Sequence, residues 1–256
     1  MNQKDLASLL DLANHHANAT LEDIKTLCAH VLAYGFNSAF VNPYYVALAK
    51  EILAGKAKVG TAFSFPLGQD TQTAKFFMTK ECISLGADEL DIVPNNGLLL
   101  SDKGFGIYRE ELKEIVDIAK NVRADVIVKF IIETGYFLPD DPDLSQEKKD
   151  EGEIIIKRAA EAILASGADF VKICSGMGPR GASVNDVKLV REAIGNAIKV
   201  KVAGGIDTLQ EAQKFLTGGA NRIGTSHAVE IIKESINSSQ RSVSQNSVLP
   251  SNHSNE

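Results

Sequence analysis

The chain has 256 residues, 44% hydrophobic and 23% charged, the balance of a soluble globular protein of one large domain or two small ones. A formal net charge of −6, from 27 basic and 33 acidic residues, argues against a nucleic-acid or anionic-membrane surface, though a small basic pocket stays allowed. Cys28, Cys82 and Cys174 form no Cys-x-x-Cys pair, the start Met-Asn-Gln-Lys-Asp has no signal-peptide run, and no stretch nears the ~18 apolar residues of a membrane span, so a cytoplasmic chain without disulfides is expected.

Short apolar runs alternate with longer amphipathic segments. The first and weakest run, residues 9–12, is followed by Thr20-Leu-Glu-Asp23, which reads as a capping box opening a helix that Leu27, Val31 and Leu32 continue. Strand-like runs follow at 38–42, 58–63, 89–93, 126–133, 169–174, 199–203 and 221–224. Helix-like segments fall at 71–85, 108–122, 152–165, 183–194 and 209–216, and several helices stop at glycine: Gly35, Gly86, Gly167, Gly195 and Gly218. Strand–helix alternation predicts a parallel sheet. Eight repeats favour closure into an α/β fold, a single-domain (β/α)8 TIM barrel of the usual size, roughly 250 residues. No Gly-x-Gly-x-x-Gly follows the first convincing strand, which counts against a dinucleotide fold. The acidic loop 139–150 reads as a solvated connection. Residues 237–256 turn polar and predict a disordered tail beyond a barrel domain of residues 1–236.

Two lysines stand where apolar strands should have none: Lys172 in Asp169-Phe-Val-Lys-Ile-Cys174 and Lys201 in Lys199-Val-Lys-Val-Ala203. Side chains alternate along a strand, so Phe170, Lys172 and Cys174 share a face. So do Lys199, Lys201 and Ala203; Glu89, Asp91 and Val93; and Lys129, Ile131 and Glu133. If those faces turn inward, Lys172, Lys201 and Asp91 converge at the C-terminal mouth, where barrels place their chemistry. Neighbouring strands lie about 4.8 Å apart, close enough for two amines to interact. A desolvated lysine beside a second cation gives up its proton more readily, and a neutral amine is a nucleophile. One such lysine alone could snorkel to solvent. Two on successive strands, with Asp91 on a third, favour an imine-forming site. Lys129 reads as a structural ion-pair partner of Glu133 or Asp91.

Ala203-Gly-Gly-Ile-Asp207 and Ile223-Gly-Thr-Ser226 follow the seventh and eighth strands, the usual phosphate-binding place in such barrels. Glycines let backbone N–H groups approach an anion, and a helix starting near Ser226 would aim its positive end there. Ser175-Gly176, after Lys172, is a third contributor. His227 reads as a further phosphate donor or as a cap.

Taken in order, Val41-Asn-Pro-Tyr-Tyr-Val46, Phe65-Pro-Leu-Gly68, Gly86-Ala-Asp-Glu-Leu-Asp91, Val128-Lys-Phe-Ile-Ile-Glu-Thr-Gly135, Gly167-Ala-Asp-Phe-Val-Lys172, Val200-Lys201 with Ala203-Gly-Gly-Ile206, and Arg222-Ile-Gly-Thr-Ser226 resemble the deoxyribose-phosphate aldolase family. The resemblance runs from about Leu10 to Ile232. It implies a class I aldolase without metal or other cofactor, acting in deoxyribonucleotide and carbohydrate catabolism. The implied reaction cleaves a small phosphorylated sugar, 2-deoxy-D-ribose 5-phosphate, to D-glyceraldehyde 3-phosphate and acetaldehyde, with the break expected at C3–C4. It implies that Lys172 forms the imine, that Lys201 lowers its pKa and helps relay protons, that Asp91 acts with Lys201 and a water, and that Asp11 supports this network. Ser175, Gly176, Gly204, Gly205, Gly224 and Ser226 are the implied phosphate and substrate contacts, with His227 beside them. A homodimer is expected only because such barrels often pair.

Several positions depart from the family pattern. Asp11-Leu-Ala13 lacks the threonine hydroxyl of Asp-His-Thr or Asp-Leu-Thr, and Asn14-His-His16 replaces an apolar stretch. Phe40 stands where many members carry cysteine, Ile173-Cys-Ser-Gly176 replaces Thr-Ser-Thr-Gly, Met177-Gly-Pro-Arg-Gly181 is an unusual continuation, and His227 takes a place often held by serine. These changes touch the walls and bear on the substrate more than on the reaction type. His15 and His16 read as loop residues rather than metal ligands, Arg180 as a solvated arginine and Cys174 as a small packed hydrophobe. Two rivals stay open: a related lysine-dependent aldolase or thiolase-like barrel acting on another phosphorylated sugar, and an inert ligand-binding barrel.

Overall fold

A computed structural model describes residues 1–246, with side chains through 238. Eight strands appear among these residues, at the places the apolar runs predict: β1 (Leu10–Asn14), β2 (Ser38–Val41), β3 (Lys58–Phe63), β4 (Glu89–Ile92), β5 (Ile127–Ile132), β6 (Phe170–Ile173), β7 (Lys199–Ala203) and β8 (Arg222–Thr225). Each pairs in parallel with the next, and β8 returns to β1, closing the predicted (β/α)8 barrel. The helices are α1 (Gln3–Ala7), α2 (Leu21–Tyr34), α3 (Val46–Leu53), α4 (Gln72–Ser84), α5 (Asp102–Val122), α6 (Gln146–Ser166), α7 (Val184–Ile194), α8 (Leu209–Thr217) and α9 (Ala228–Asn246). None of the described helices is long and apolar enough to cross a membrane.

Helix starts follow side-chain chemistry more than periodicity. The Thr20 capping box forms as read: Thr20 Oγ1 accepts the Asp23 N–H at 3.2 Å, and Asp23 Oδ2 accepts the Thr20 N–H at 2.8 Å. Helix α6 begins at Gln146, inside the loop expected over 139–150. Its first turns are polar and carry no apolar stripe, but Ser145 caps the Lys148 N–H. Likewise α5 begins at Asp102 under a Ser101 cap, ahead of the residue 108 expected. Residue 236 is not an end of regular structure, because α9 continues to Asn246; the rest of the expected tail, 247–256, lies outside the described residues.

Alternation sorts every strand into two faces. Leu10, Leu12, Ala39, Val41, Val59, Leu90, Ile92, Val128, Phe130, Ile132, Val171, Ile173, Val200, Val202 and Ile223 pack with the helices in one continuous apolar layer. The intervening residues turn into the barrel and are unlike an ordinary core: Asp11, Ser38, Glu89, Asp91, Lys129, Lys172, Lys201 and Arg222 are all buried there. Register sets them side by side. Lys172 lies opposite Lys201, Asp91 opposite Lys129, and Asp11 opposite Ser38 and Gly224.

Candidate active site

The inward charges form one connected network. Asp91 is its hub: Oδ2 accepts from Lys172 Nζ at 2.8 Å and from Lys201 Nζ at 2.9 Å, while Oδ1 accepts from Lys129 Nζ at 3.0 Å. Lys201 Nζ also lies 2.8 Å from Asp11 Oδ2, and its ammonium stands over the Phe40 ring, 3.5 Å from the centroid. Asp11 Oδ1 accepts from Ser38 Oγ at 2.6 Å, Asn37 Nδ2 at 2.9 Å and an Arg222 guanidinium nitrogen at 3.0 Å. Beneath, Lys129 Nζ donates to Glu89 Oε2 at 2.5 Å. Lys129 thus pairs with Glu89 and Asp91. Glu133, the other partner expected, instead accepts the Ser175 N–H at 3.0 Å.

Charge counting shows where a proton is loosest. Lys129, Lys172, Lys201 and Arg222 face only Asp11, Glu89 and Asp91, so the buried cluster carries one surplus cation when every lysine is protonated. Lys58 adds a contact to Glu89 from the opposite, N-terminal end of the barrel, where water screens it. Burial disfavours charge on all the buried groups, and the neighbours decide the outcome. Burial raises the Asp91 carboxyl, but Lys129, Lys172 and Lys201 together hold it well below the carboxylate range. The same contest leaves Asp11 lowered by Lys201 and Arg222, and Glu89 lowered by Lys129. Lys129 is raised, since Asp91, Glu89 and Asp11 outweigh its burial. Lys172 is lowered: burial acts first, the Lys201 charge adds to it, and Asp91 only partly compensates. Lys172 therefore supplies a free amine more readily than an ordinary lysine.

A cavity of about 270 Å³ opens above the network. Lys172 and Lys201 form its base, and Ser175, Gly176, Gly204, Gly205, Gly224 and Ser226 line its walls. Asp91 and Asp11 lie below, buried, and reach the cavity only through the lysines. After β6 the chain turns sharply at Cys174, whose φ of 61 is uncommon for a residue with a side chain. The turn is held by the Ser175–Glu133 bond and by Cys174 Sγ against Thr134 Oγ1 at 3.1 Å. It delivers Ser175 and Gly176 to the mouth while Cys174 packs outward, buried, its thiol pushed up to about 12 by burial. Gly176 (φ 84) and Gly204 (φ 88) meet backbone to backbone: a Cβ on Gly204 would stand 2.9 Å from Gly176 Cα.

Three residues make contacts that the sequence did not show. Gly224 lines the cavity and also packs on Lys201: a Cβ there would stand 2.9 Å from Lys201 Cε and push the end of that side chain aside. His227 stands immediately before α9, its carbonyl accepting the Ile231 N–H at 3.0 Å, and its Nδ1 lies 3.0 Å from Asp207 Oδ1 at the rim. Asp207 itself lines the glycine end of the cavity. Arg180 is neither solvated nor in the cavity: its side chain is 8% exposed and grips Asp186 at 2.7 and 2.9 Å. Glu89 and Arg222 also belong to the network, and alternation along β4 and β8 turns both of them inward. His15 lines the cavity close to Lys172 and Phe65.

An amine of lowered pKa, flanked by a carboxylate and a second amine at the base of an open cavity, is equipped to condense with a carbonyl and move protons. Comparison with known proteins agrees with that chemistry. The sequence model of the DeoC/LacD family aldolases matches residues 5–233. The chain is similar to the deoxyribose-phosphate aldolase of Caldicellulosiruptor saccharolyticus, 42% identical over 91% of this chain and 100% of that protein. It is likewise similar to the deoxyribose-phosphate aldolase of Thermococcus kodakarensis, 41% identical over 91% of this chain and 98% of the other. Among solved structures it superposes on the tetrameric deoxyribose phosphate aldolase of Aeropyrum pernix with a TM-score of 0.80, at 28% identity over 93% of each chain. QR15, an aldolase, gives a TM-score of 0.79 at 33% identity, covering 93% of this chain and 98% of that one. A charged lumen that presents a deprotonatable amine, and similarity over nearly the whole barrel, lead to one assignment: the chain belongs to the DeoC/LacD family of aldolases and is a lyase.

Proposed function

We propose that this protein cleaves 2-deoxy-D-ribose 5-phosphate to D-glyceraldehyde 3-phosphate and acetaldehyde through an imine on Lys172. The observation that carries the reading is the buried Lys172 amine, lowered in pKa, 2.8 Å from Asp91 and open to the cavity. The relatives named above as deoxyribose-phosphate aldolases support the substrate.

In this scheme unprotonated Lys172 Nζ attacks C1 of the open-chain aldehyde. Asp91 and Lys201, with a water, move the protons that turn the carbinolamine into an iminium and water. The iminium accepts the electron pair of the breaking bond. A two-carbon aldehyde product places that bond at C2–C3, which corrects the C3–C4 expectation. As the C3 hydroxyl loses its proton, C3 becomes the carbonyl of glyceraldehyde 3-phosphate and C1–C2 becomes an enamine. Protonation at C2 and hydrolysis release acetaldehyde and the free lysine. Phosphate would lie at the glycine end, against Ser175, Gly176, Gly204, Gly205 and Ser226, where backbone N–H groups serve as donors. His227 would hold the Asp207 side chain at the rim, and Gly224 would keep room for Lys201. The reading also takes the chain to be a cytoplasmic homo-oligomer.

Borohydride reduction in the presence of acetaldehyde, followed by peptide mass mapping, tests the assignment. The expected adduct is on Lys172; no adduct on any lysine overturns the enzyme reading and favours an inert barrel. Turnover on 2-deoxyribose 5-phosphate against a panel of other sugar phosphates tests the substrate.

A further inference from the structure

Glu133 stands one residue beyond β5 and is 1% exposed. Its Oε2 accepts the Ser175 N–H at 3.0 Å, while its Oε1 is buried without a hydrogen-bond partner among the described residues. Burying such a group is costly, and an apolar side chain of the same length would stabilise this place better. The carboxyl is therefore explained by what its one bond holds. Ser175 opens the segment 175–181, one wall of the glycine end of the cavity. The Met177 N–H turns back onto Ser175 Oγ at 2.9 Å. Gly178 closes over the carboxyl, where a Cβ would run into Glu133 Cδ and Oε1. From this anchored turn the segment meets Gly204 twice. Besides the close approach of Gly176, a Cβ on Gly181 would stand 2.6 Å from the Gly204 carbonyl oxygen. Gly204 is thus held between two residues of a segment pinned at Glu133, and Glu133 itself does not line the cavity.

We propose that Glu133 is a positioning residue for phosphate: through Ser175 it sets the spacing of Gly176 and Gly204, whose N–H groups face the anion. The proposal rests on phosphate lying at the glycine end and on Lys172 as the imine-forming amine. A backbone donor cannot be re-aimed by rotating a side chain, so its place depends on what anchors the segment. An anion of fixed size is bound only when several such donors keep their spacing. Loosening the anchor removes contacts made equally in the ground and transition states, so affinity falls before rate. Lys172 and Asp91 lie within β6 and β4 and stay where the barrel register puts them.

Two reactions of the same protein separate this role from a general weakening of the fold. Exchange of the methyl protons of acetaldehyde with deuterium oxide needs the Lys172 imine and enamine but involves no phosphate. Cleavage of 2-deoxyribose 5-phosphate needs both ends of the cavity. Glu133→Met, of similar length and without an oxygen, is expected to raise KM for cleavage about 10-fold, with kcat within about threefold and exchange within about twofold. Glu133→Gln keeps the shape and an oxygen for the Ser175 N–H, and is expected to restore most of the loss. An unchanged KM in Glu133→Met, equal losses in the two reactions, or a Glu133→Gln as impaired as Glu133→Met would overturn the proposal. Exchange without cleavage in the unaltered protein would instead sink the substrate reading, and absence of exchange the Lys172 reading, each taking this inference with it. Retained exchange in the variants also shows that they have folded.

Discussion

Neighbouring residues of β4 live in opposite worlds. Leu90 and Ile92 point outward into an apolar layer shared with the helices, while Glu89 and Asp91 point inward among three lysines and an arginine. β5, β6 and β7 repeat the division. The outer layer is held by non-directional burial, in which each side chain contributes its own area and its loss costs mainly itself. The lumen is held by pairing. Every charge there is costly to bury alone and tolerable only because its partners are present, so its members act as a unit. The outer layer explains why the barrel stands; the lumen explains why one amine in it is reactive.

The largest effect tests the lumen itself. Lys172→Arg keeps the positive charge but places a guanidinium that stays protonated, so turnover should fall by on the order of 10⁴-fold or more. Retained cleavage in that variant would end the imine assignment. The second test sets the two faces of β4 against each other. Asp91→Asn removes the hub from three amines and should cost about 3–5 kcal/mol in a denaturant titration, with activity lost as well. Leu90→Ala should cost a similar ~2–5 kcal/mol but leave kcat/KM of the folded protein nearly unchanged. If Leu90→Ala proved the catalytic lesion and Asp91→Asn the silent one, the division between faces would be wrong.

The same carboxylates set an acid limit. Asp11, Glu89 and Asp91 all have folded pKa values lowered from their ordinary range. Below about pH 4 the unfolded chain takes up protons that the folded chain resists, so their contribution, fully present above that pH, is lost progressively toward more acid pH. Asp91→Asn should flatten that acid decline. Lys201→Leu comes next. It removes the second cation and the relay while Phe40 still packs above it, and cleavage should slow about 10²-fold with little change in fold by circular dichroism. A near-normal rate would leave Lys201 a merely structural neighbour. The smallest effect is Gly224→Ala. A methyl 2.9 Å from Lys201 Cε displaces a flexible side chain, so kcat should drop a few-fold, roughly 3- to 10-fold, with KM little changed. A rise in KM alone would return Gly224 to the phosphate site.

Much of this architecture is written locally. Each strand announces itself by a short apolar run, and strict alternation along it already assigns Asp91, Lys172 and Lys201 to one face and their neighbours to the other. Eight such runs, each followed by an amphipathic segment, leave closure as the natural way to pair every edge. What depends on distant parts of the chain could not be read this way. Lys129 pairs with Glu89 and not Glu133 because barrel register brings β4 alongside β5, while Glu133 lies past the strand end, where the turn at Cys174 claims it. Arg180 is drawn inward by Asp186 at the start of α7, and His227 is held by Asp207 from the loop after β7. His15, one of two histidines in a polar loop, gains its place at the mouth only when Phe40 of β2 and Phe65 of the loop after β3 close around it. Period and composition fix which face a residue presents; which partner it meets there is set by long-range packing and register, which no local pattern encodes.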